Sequence, residues 1–164
     1  MSILTYSKKI DLRTVVREDE EFLFQVYASS RADEVAAWGM DPAQLEGLLR
    51  MQFRAQQFQY DEIEESGNSI ILSDNRPVGR LIVDRTEKEI LLAEIALLPE
   101  YRNSGVGTCV INDLKSEAAG KGIPVRLHVT KGNPARMLYQ RLGFAVTGDT
   151  GTHFEMVWKQ SSVV

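Results

Sequence analysis

From Leu97 to Gly107 the chain reads Leu-Leu-Pro-Glu-Tyr-Arg-Asn-Ser-Gly-Val-Gly, and here residue type and spacing speak most directly of chemistry. The pattern Arg102-x-x-Gly105-x-Gly107 falls where an apolar strand stops at Pro99 and a helical repeat begins at Val106. At such a junction backbone N–H groups point into the space before the helix and the helix dipole adds positive potential. Glycines there let a pyrophosphate approach the main chain. Arg102 adds a fixed charge. A tight turn that needs glycine for its backbone alone is the competing reading. Two nucleotide motifs fail: the dinucleotide fingerprint needs glycine three places after Gly107, where Val110 stands, and no Lys-Ser/Thr follows for a P-loop.

Other reactive types are sparse. Glu94 interrupts the apolar run Leu92-Ala93-Glu94-Ile95-Ala96, so its carboxylate either faces solvent at an edge or is aimed into a cleft. His128 alternates with Leu127 and Val129, and reads either as a base facing a cleft or as a hydrogen-bonded structural residue. Cys109, the single cysteine, sits one turn into a helix and reads as a small buried hydrophobe rather than an acyl carrier. One cysteine and two histidines, His128 and His153, exclude a disulfide framework and make a Cys/His zinc site improbable, so no metal is expected.

The net charge of −4 is a cancellation. Residues 1–98 carry −7, residues 99–141 carry +4 and the remainder carries −1. The basic block coincides with the glycine loop, as an anion site requires, although a solvated face would look the same. The acidic balance argues against nucleic acid as a partner. With 164 residues, 43% hydrophobic and 26% charged, the chain has the composition of one ordinary globular domain. Apolar runs stop at four residues, so no membrane segment is expected, and without a secretory leader cytoplasmic residence is the default.

Elements must hold these residues in place. Leu12, Thr14 and Val16 alternate as a first strand, and Glu20–Ser29 carries Phe22, Leu23, Val26 and Tyr27 as a helical stripe. Asp41-Pro42 starts a second helix, with Asp as cap and Pro at the first turn, marked by Leu45, Leu48, Leu49 and Phe53. An antiparallel meander follows: Ser69–Leu72, Val78–Asp84 and Glu89–Leu98. Val106, Val110, Ile111, Leu114 and Ala118 then mark a helix ended by Gly120 and Gly122. Pro124–Thr130 is a strand, Asn133-Pro134 opens a last helix, and strands near 144–147 and 153–158 finish the chain. Trp38, Trp158, Phe22 and Phe24 read as packing, Trp38 on the side of an acceptor.

Strand, anion loop, helix, strand, then a helix opening Asn133-Pro134-Ala135 and closing Tyr139-Gln140-Arg141-Leu142-Gly143-Phe144 resembles the GNAT superfamily of N-acetyltransferases over about residues 69–158. Ala135 stands two residues after Asn133 where the family signature has three. The resemblance implies an α/β (α+β) fold in a single domain, with a mixed, mostly antiparallel sheet of about six to seven strands and about four helices. Residues 1–68 would form the acceptor side and 69–158 the core. It also implies acetyl-CoA wedged where the sheet splays after the strand ending at Leu98. The backbone of Ile95, Ala96, Leu97 and Leu98 would pair with the pantetheine arm. Arg102 and the amides of Asn103, Ser104, Gly105, Val106, Gly107 and Thr108 would hold the pyrophosphate, with Asn133 and Arg136 bordering the cofactor. Glu94 would be the general base and Tyr139 the general acid of direct transfer to an amine, on a small molecule or a peptide, with a homodimer compatible. The alternative is an acyl-CoA-binding or sensing module without turnover.

Overall fold

The computed structural model describes residues 8–161. Seven strands form one sheet in the order β1-β2-β3-β4-β5-β7-β6, comprising β1 (Ile10–Thr14), β2 (Asn68–Ser73), β3 (Arg76–Arg85), β4 (Ile90–Leu97), β5 (Val125–Thr130), β6 (Ala145–Asp149) and β7 (His153–Trp158). Five helices flank it: α1 (Glu20–Ser30), α2 (Ala32–Ala36), α3 (Pro42–Gln59), α4 (Val106–Lys121) and α5 (Ala135–Arg141). All pairings are antiparallel except β4 with β5, which the α4 crossover makes parallel.

Two apolar clusters fill the two sides of the sheet. On one, Val106, Val110, Ile111, Leu114 and Ala118 of α4 pack on Leu81, Val83, Leu92, Leu127 and Met156. On the other, Leu23, Phe24 and Tyr27 of α1 meet Leu49 and Phe53 of α3 over Ile70. Fully burying each aliphatic side chain contributes about 1.5–3 kcal/mol before the entropy of ordering is subtracted.

Three local readings change. The extra helix, α2, buries only Val35 and has no stripe to betray it. Trp38 does not pack: it is 41% exposed in the connection from α2 to α3. The Asp41 side chain caps nothing, so the start of α3 rests on Pro42 and on the Asp41 carbonyl, which accepts from the Leu45 N–H at 2.9 Å. At α5 the cap does form, with Asn133 Oδ1 accepting from the Ala135 N–H at 2.9 Å.

Two irregularities in β4 position everything that follows. Ile82 lies opposite Glu94 while Val83 lies opposite Leu92, so Ala93 is an extra residue, a β-bulge. Leu92 and Glu94, two apart, would share a face in a regular strand. The bulge separates them: Leu92 joins the core beneath α4, and Glu94 shares the α1/α3 face with Ile82. Second, β4 and β5 pair only at Ile90–Val125, Leu91–Arg126 and Leu92–Leu127. The sheet therefore opens between β4 and the strand that follows it, as the family resemblance implies, and the gap begins within β4, after Leu92. From Ala93 to Leu97 on one side and His128 to Thr130 on the other, the facing strand edges are unpaired with each other.

Candidate active site

The head of α4 stands at the mouth of this opening. A short turn, Pro99–Tyr101, ends β4, after which Asn103 (φ 57°) and Gly105 (φ 90°) adopt left-handed backbone around Ser104. The consequence is electrostatic. Among the described residues, the N–H groups of Asn103, Ser104, Gly105, Val106, Gly107 and Thr108 find no protein acceptor, and the first amide to bond is that of Cys109, to the Gly105 carbonyl at 3.0 Å. A helix start normally leaves four such donors; the left-handed turn adds to them, and donors clustered in this way suit an anion. The Arg102 Nε donates to the Leu97 carbonyl at 3.1 Å, which ties the exposed cation to the end of β4.

The two loop glycines differ in what they require. Gly105 has a positive φ that other residues adopt with strain. Gly107 is helical, and a Cβ there would meet only Leu138 Cδ2 at 3.9 Å, an ordinary contact. Gly107→Ala should therefore leave the fold intact or stabilise it by about 1 kcal/mol through helix propensity. If the amides cradle phosphate, the same methyl should weaken acetyl-CoA binding about tenfold or more by calorimetry; unchanged affinity would assign Gly107 to packing alone.

Behind the bulge lies a buried polar group. Arg80 sits opposite Ala96 and Ile70 and so on the Glu94 face of the sheet. It is only 3% exposed. Its Nε and Nη2 donate to Asn68 Oδ1 at 3.3 and 3.2 Å, its Nη1 donates to Gln57 Oε1, and the guanidinium lies 5.7 Å from the Tyr60 ring centroid. Burial pushes the Glu94 carboxyl above the usual carboxylate range, opposed by Arg80, the Gln56 amide and Arg31. Burial, with the nearby Glu94 charge, pushes the Tyr60 phenol up to about 12. Tyr27 is likewise raised by burial. Arg80, Tyr60 and Gln57 were not singled out from sequence.

Tyr139 lies on the other side of the sheet, buried beneath α4 and 5.9 Å from the Phe144 ring. Its hydroxyl makes no hydrogen bond among the described residues, yet no fully buried side-chain oxygen is left without a partner, so the hydroxyl reaches accessible space. Burial raises its phenol, which keeps the proton in place. Glu94 and Tyr139 thus occupy opposite faces of the sheet.

The remaining candidates are placed differently. His128 is exposed and pairs with Glu155 of β7, Nε2 to Oε2 at 3.6 Å. Arg136 stacks on Phe154, 4.9 Å from its centroid, and Asn133 is engaged as the α5 cap. Cys109 is half-buried, with its thiol raised by burial and by Asp113.

Comparison with known proteins adds to this geometry. The sequence model described as acetyltransferase (GNAT) family matches residues 23–144. The [ribosomal protein bS18]-alanine N-acetyltransferase of Haemophilus influenzae is 32% identical over 78 residues, 47% of this chain and 53% of that protein. The cysteine-rich protein 2-binding protein of Mus musculus is 36% identical over 66 residues, 40% of this chain. The chain thus spans about half the length of the first and 8% of the second. Among solved structures, the PaiA N-acetyltransferase of Thermoplasma acidophilum in complex with coenzyme A superposes with a TM-score of 0.71 at 21% identity, covering 93% of this chain and 99% of that one.

Proposed function

The chain belongs to the GNAT family of acetyltransferases, and we propose that it moves an acetyl group from acetyl-CoA to a primary amine by direct attack in a ternary complex. The observation that carries this reading is the run of acceptor-free N–H groups, Asn103 to Thr108, set at the end of a strand whose edge is open from Ala93 to Leu97. The first suits a pyrophosphate and the second an extended chain bearing amides. When bound, acetyl-CoA supplies an acetyl group activated as a thioester.

The protein's own groups do the rest. Glu94, half-buried beside the bulge, takes a proton from the attacking amine, directly or through water. A backbone N–H near Ile95 to Leu97 stabilises the charge that develops on the acetyl oxygen. As the amine nitrogen bonds to the acetyl carbon and the carbon–sulfur bond breaks, Tyr139 gives its proton to the departing sulfur. Arg102, Asn133 and Arg136 border the anionic part of the donor. The acidic residues 1–98, net −7, favour a cationic acceptor by steering its approach.

Tyr139→Phe should lower kcat roughly a hundredfold with little change in acetyl-CoA affinity. Unaltered turnover would remove Tyr139 from the chemistry.

The reading as a whole is tested by thermal melting with acetyl-CoA, which at a hundredfold excess over Kd should add about 2.7 kcal/mol of stability. Thiol release is then followed across polyamines, an aminoglycoside, and peptides with a free N-terminal alanine or an internal lysine. No melting shift at saturating acetyl-CoA would end the proposal. Binding without thiol release across such a panel would favour an acyl-CoA-binding module without turnover.

A further inference from the structure

Arg80 is a buried charge that the fold does not explain. Taking a guanidinium out of water costs several kcal/mol unless a carboxylate pairs with it. Here the hydrogen-bond acceptors are the neutral side-chain oxygens of Asn68 and Gln57, and no carboxylate among the described residues lies within salt-bridge distance. Asn68 bonds both the Nε and the Nη2, and the Tyr60 ring lies alongside the guanidinium. The side chain is thereby fixed, and its position on the sheet is diagonal to Glu94, one strand away on the same face.

We infer that Arg80 is a positioning residue: a fixed, buried positive charge, held off from direct contact by Asn68 and Gln57, that keeps the Glu94 carboxylate ionised and therefore able to accept a proton. This rests on the reading of Glu94 as the base. The held-off geometry matters chemically. A direct ion pair would tie up the carboxylate and weaken it as a base, whereas no cation at all would let desolvation push the half-buried carboxyl further toward its neutral form.

The groups facing Glu94 come from each element packed against it. They are Arg80 from β3, Gln56 from α3, Tyr60 at the end of α3, and Arg31 at the end of α1, with Tyr27 from α1 also coupled to Glu94. Tyr60, with its high proton affinity, stays neutral across the working range. Arg80 and Arg31 are therefore the cations that oppose burial, and Arg80 acts on the carboxyl more strongly than Arg31.

The test needs no acceptor. In protein labelled with 13C-glutamate, the Glu94 side-chain carboxyl signal is the one absent from Glu94→Gln, and its titration midpoint is read directly. Asn68→Asp keeps every atom of Arg80 but sets a carboxylate against it, and should raise the midpoint by about one pH unit. Arg80→Met should raise it at least as far, and Arg80→Lys, which keeps the charge, should fall between Arg80→Met and the parent protein. An unchanged midpoint in Asn68→Asp overturns the inference, and because that variant is nearly isosteric it serves even where Arg80→Met does not fold. The two readings fail separately: full turnover in Glu94→Gln would remove Glu94 from catalysis while leaving the titration as it stands.

Discussion

Glu94→Gln should reduce turnover by about two to three orders of magnitude while acetyl-CoA binding stays near that of the parent protein. The amide keeps the shape of the side chain and abolishes its capacity to take a proton. The accompanying pH behaviour follows from burial. Because the folded protein holds the Glu94 carboxyl above its ordinary range, activity should rise with pH through a limb displaced upward from that of a solvated glutamate. That limb should disappear in the variant. Stability has the opposite sign. A carboxyl whose folded pKa is raised favours folding below its unfolded pKa, and that contribution is lost as pH rises through the folded value. At neutral pH the carboxylate is therefore a burden on the fold, and Glu94→Gln should melt no lower than the parent. A dead variant with an undiminished Tm assigns the loss to chemistry; an active one removes Glu94 from the mechanism.

Gly79→Ala should cost about 3 kcal/mol of folding stability, near the upper end for overpacking. A Cβ at this position would lie 2.3 Å from the Ala96 carbonyl oxygen, 2.7 Å from Leu97 Cδ2 and 3.1 Å from Leu97 Cα. Two of those three atoms are backbone and cannot swing aside, because Gly79 and Leu97 are ladder partners. For a domain of this size the loss corresponds to a Tm lower by roughly 6–12 °C in calorimetry. The clash also falls on the part of β4 proposed to carry the donor, so acetyl-CoA affinity should drop with stability. A variant within about 1 kcal/mol of the parent would show that β3 and β4 are not so closely apposed.

The parts legible in the sequence are those whose signals are local. The stripe Val106, Val110, Ile111, Leu114 and Ala118 specified α4 because helical spacing puts those residues on one face, and all five are buried there. The glycine loop was legible because left-handed backbone and close approach are properties of single residues, and Gly105 has the positive φ that its type permits. Arg80 was invisible for the opposite reason. An arginine in an alternating strand looks alike whether it faces water or the interior, and only the register Ile70–Arg80–Ala96 across three strands puts it on the α1/α3 side of the sheet, next to the row Asn68–Ile82–Glu94. The bulge left a trace that could have been read. Leu92 and Glu94 sit two apart in a strand buried on both sides, so a regular pleat would have put a carboxylate and a core leucine on one face. Trp38 misled because an aromatic residue outside any period says nothing about which way its loop turns.

Only three residue pairs join β4 to β5, against seven between β3 and β4 and six between β5 and β7. The sheet thus has a fault line, bridged mainly by α4, whose apolar residues touch both halves. In hydrogen-exchange terms, opening along that line should be the cheapest sub-global motion available to the core. A donor lying along both free edges would act as a splint, and part of its binding energy would go into stilling this motion. Affinity for the donor should then respond to packing changes under α4, such as Ala118 or Leu114, at positions that never touch it.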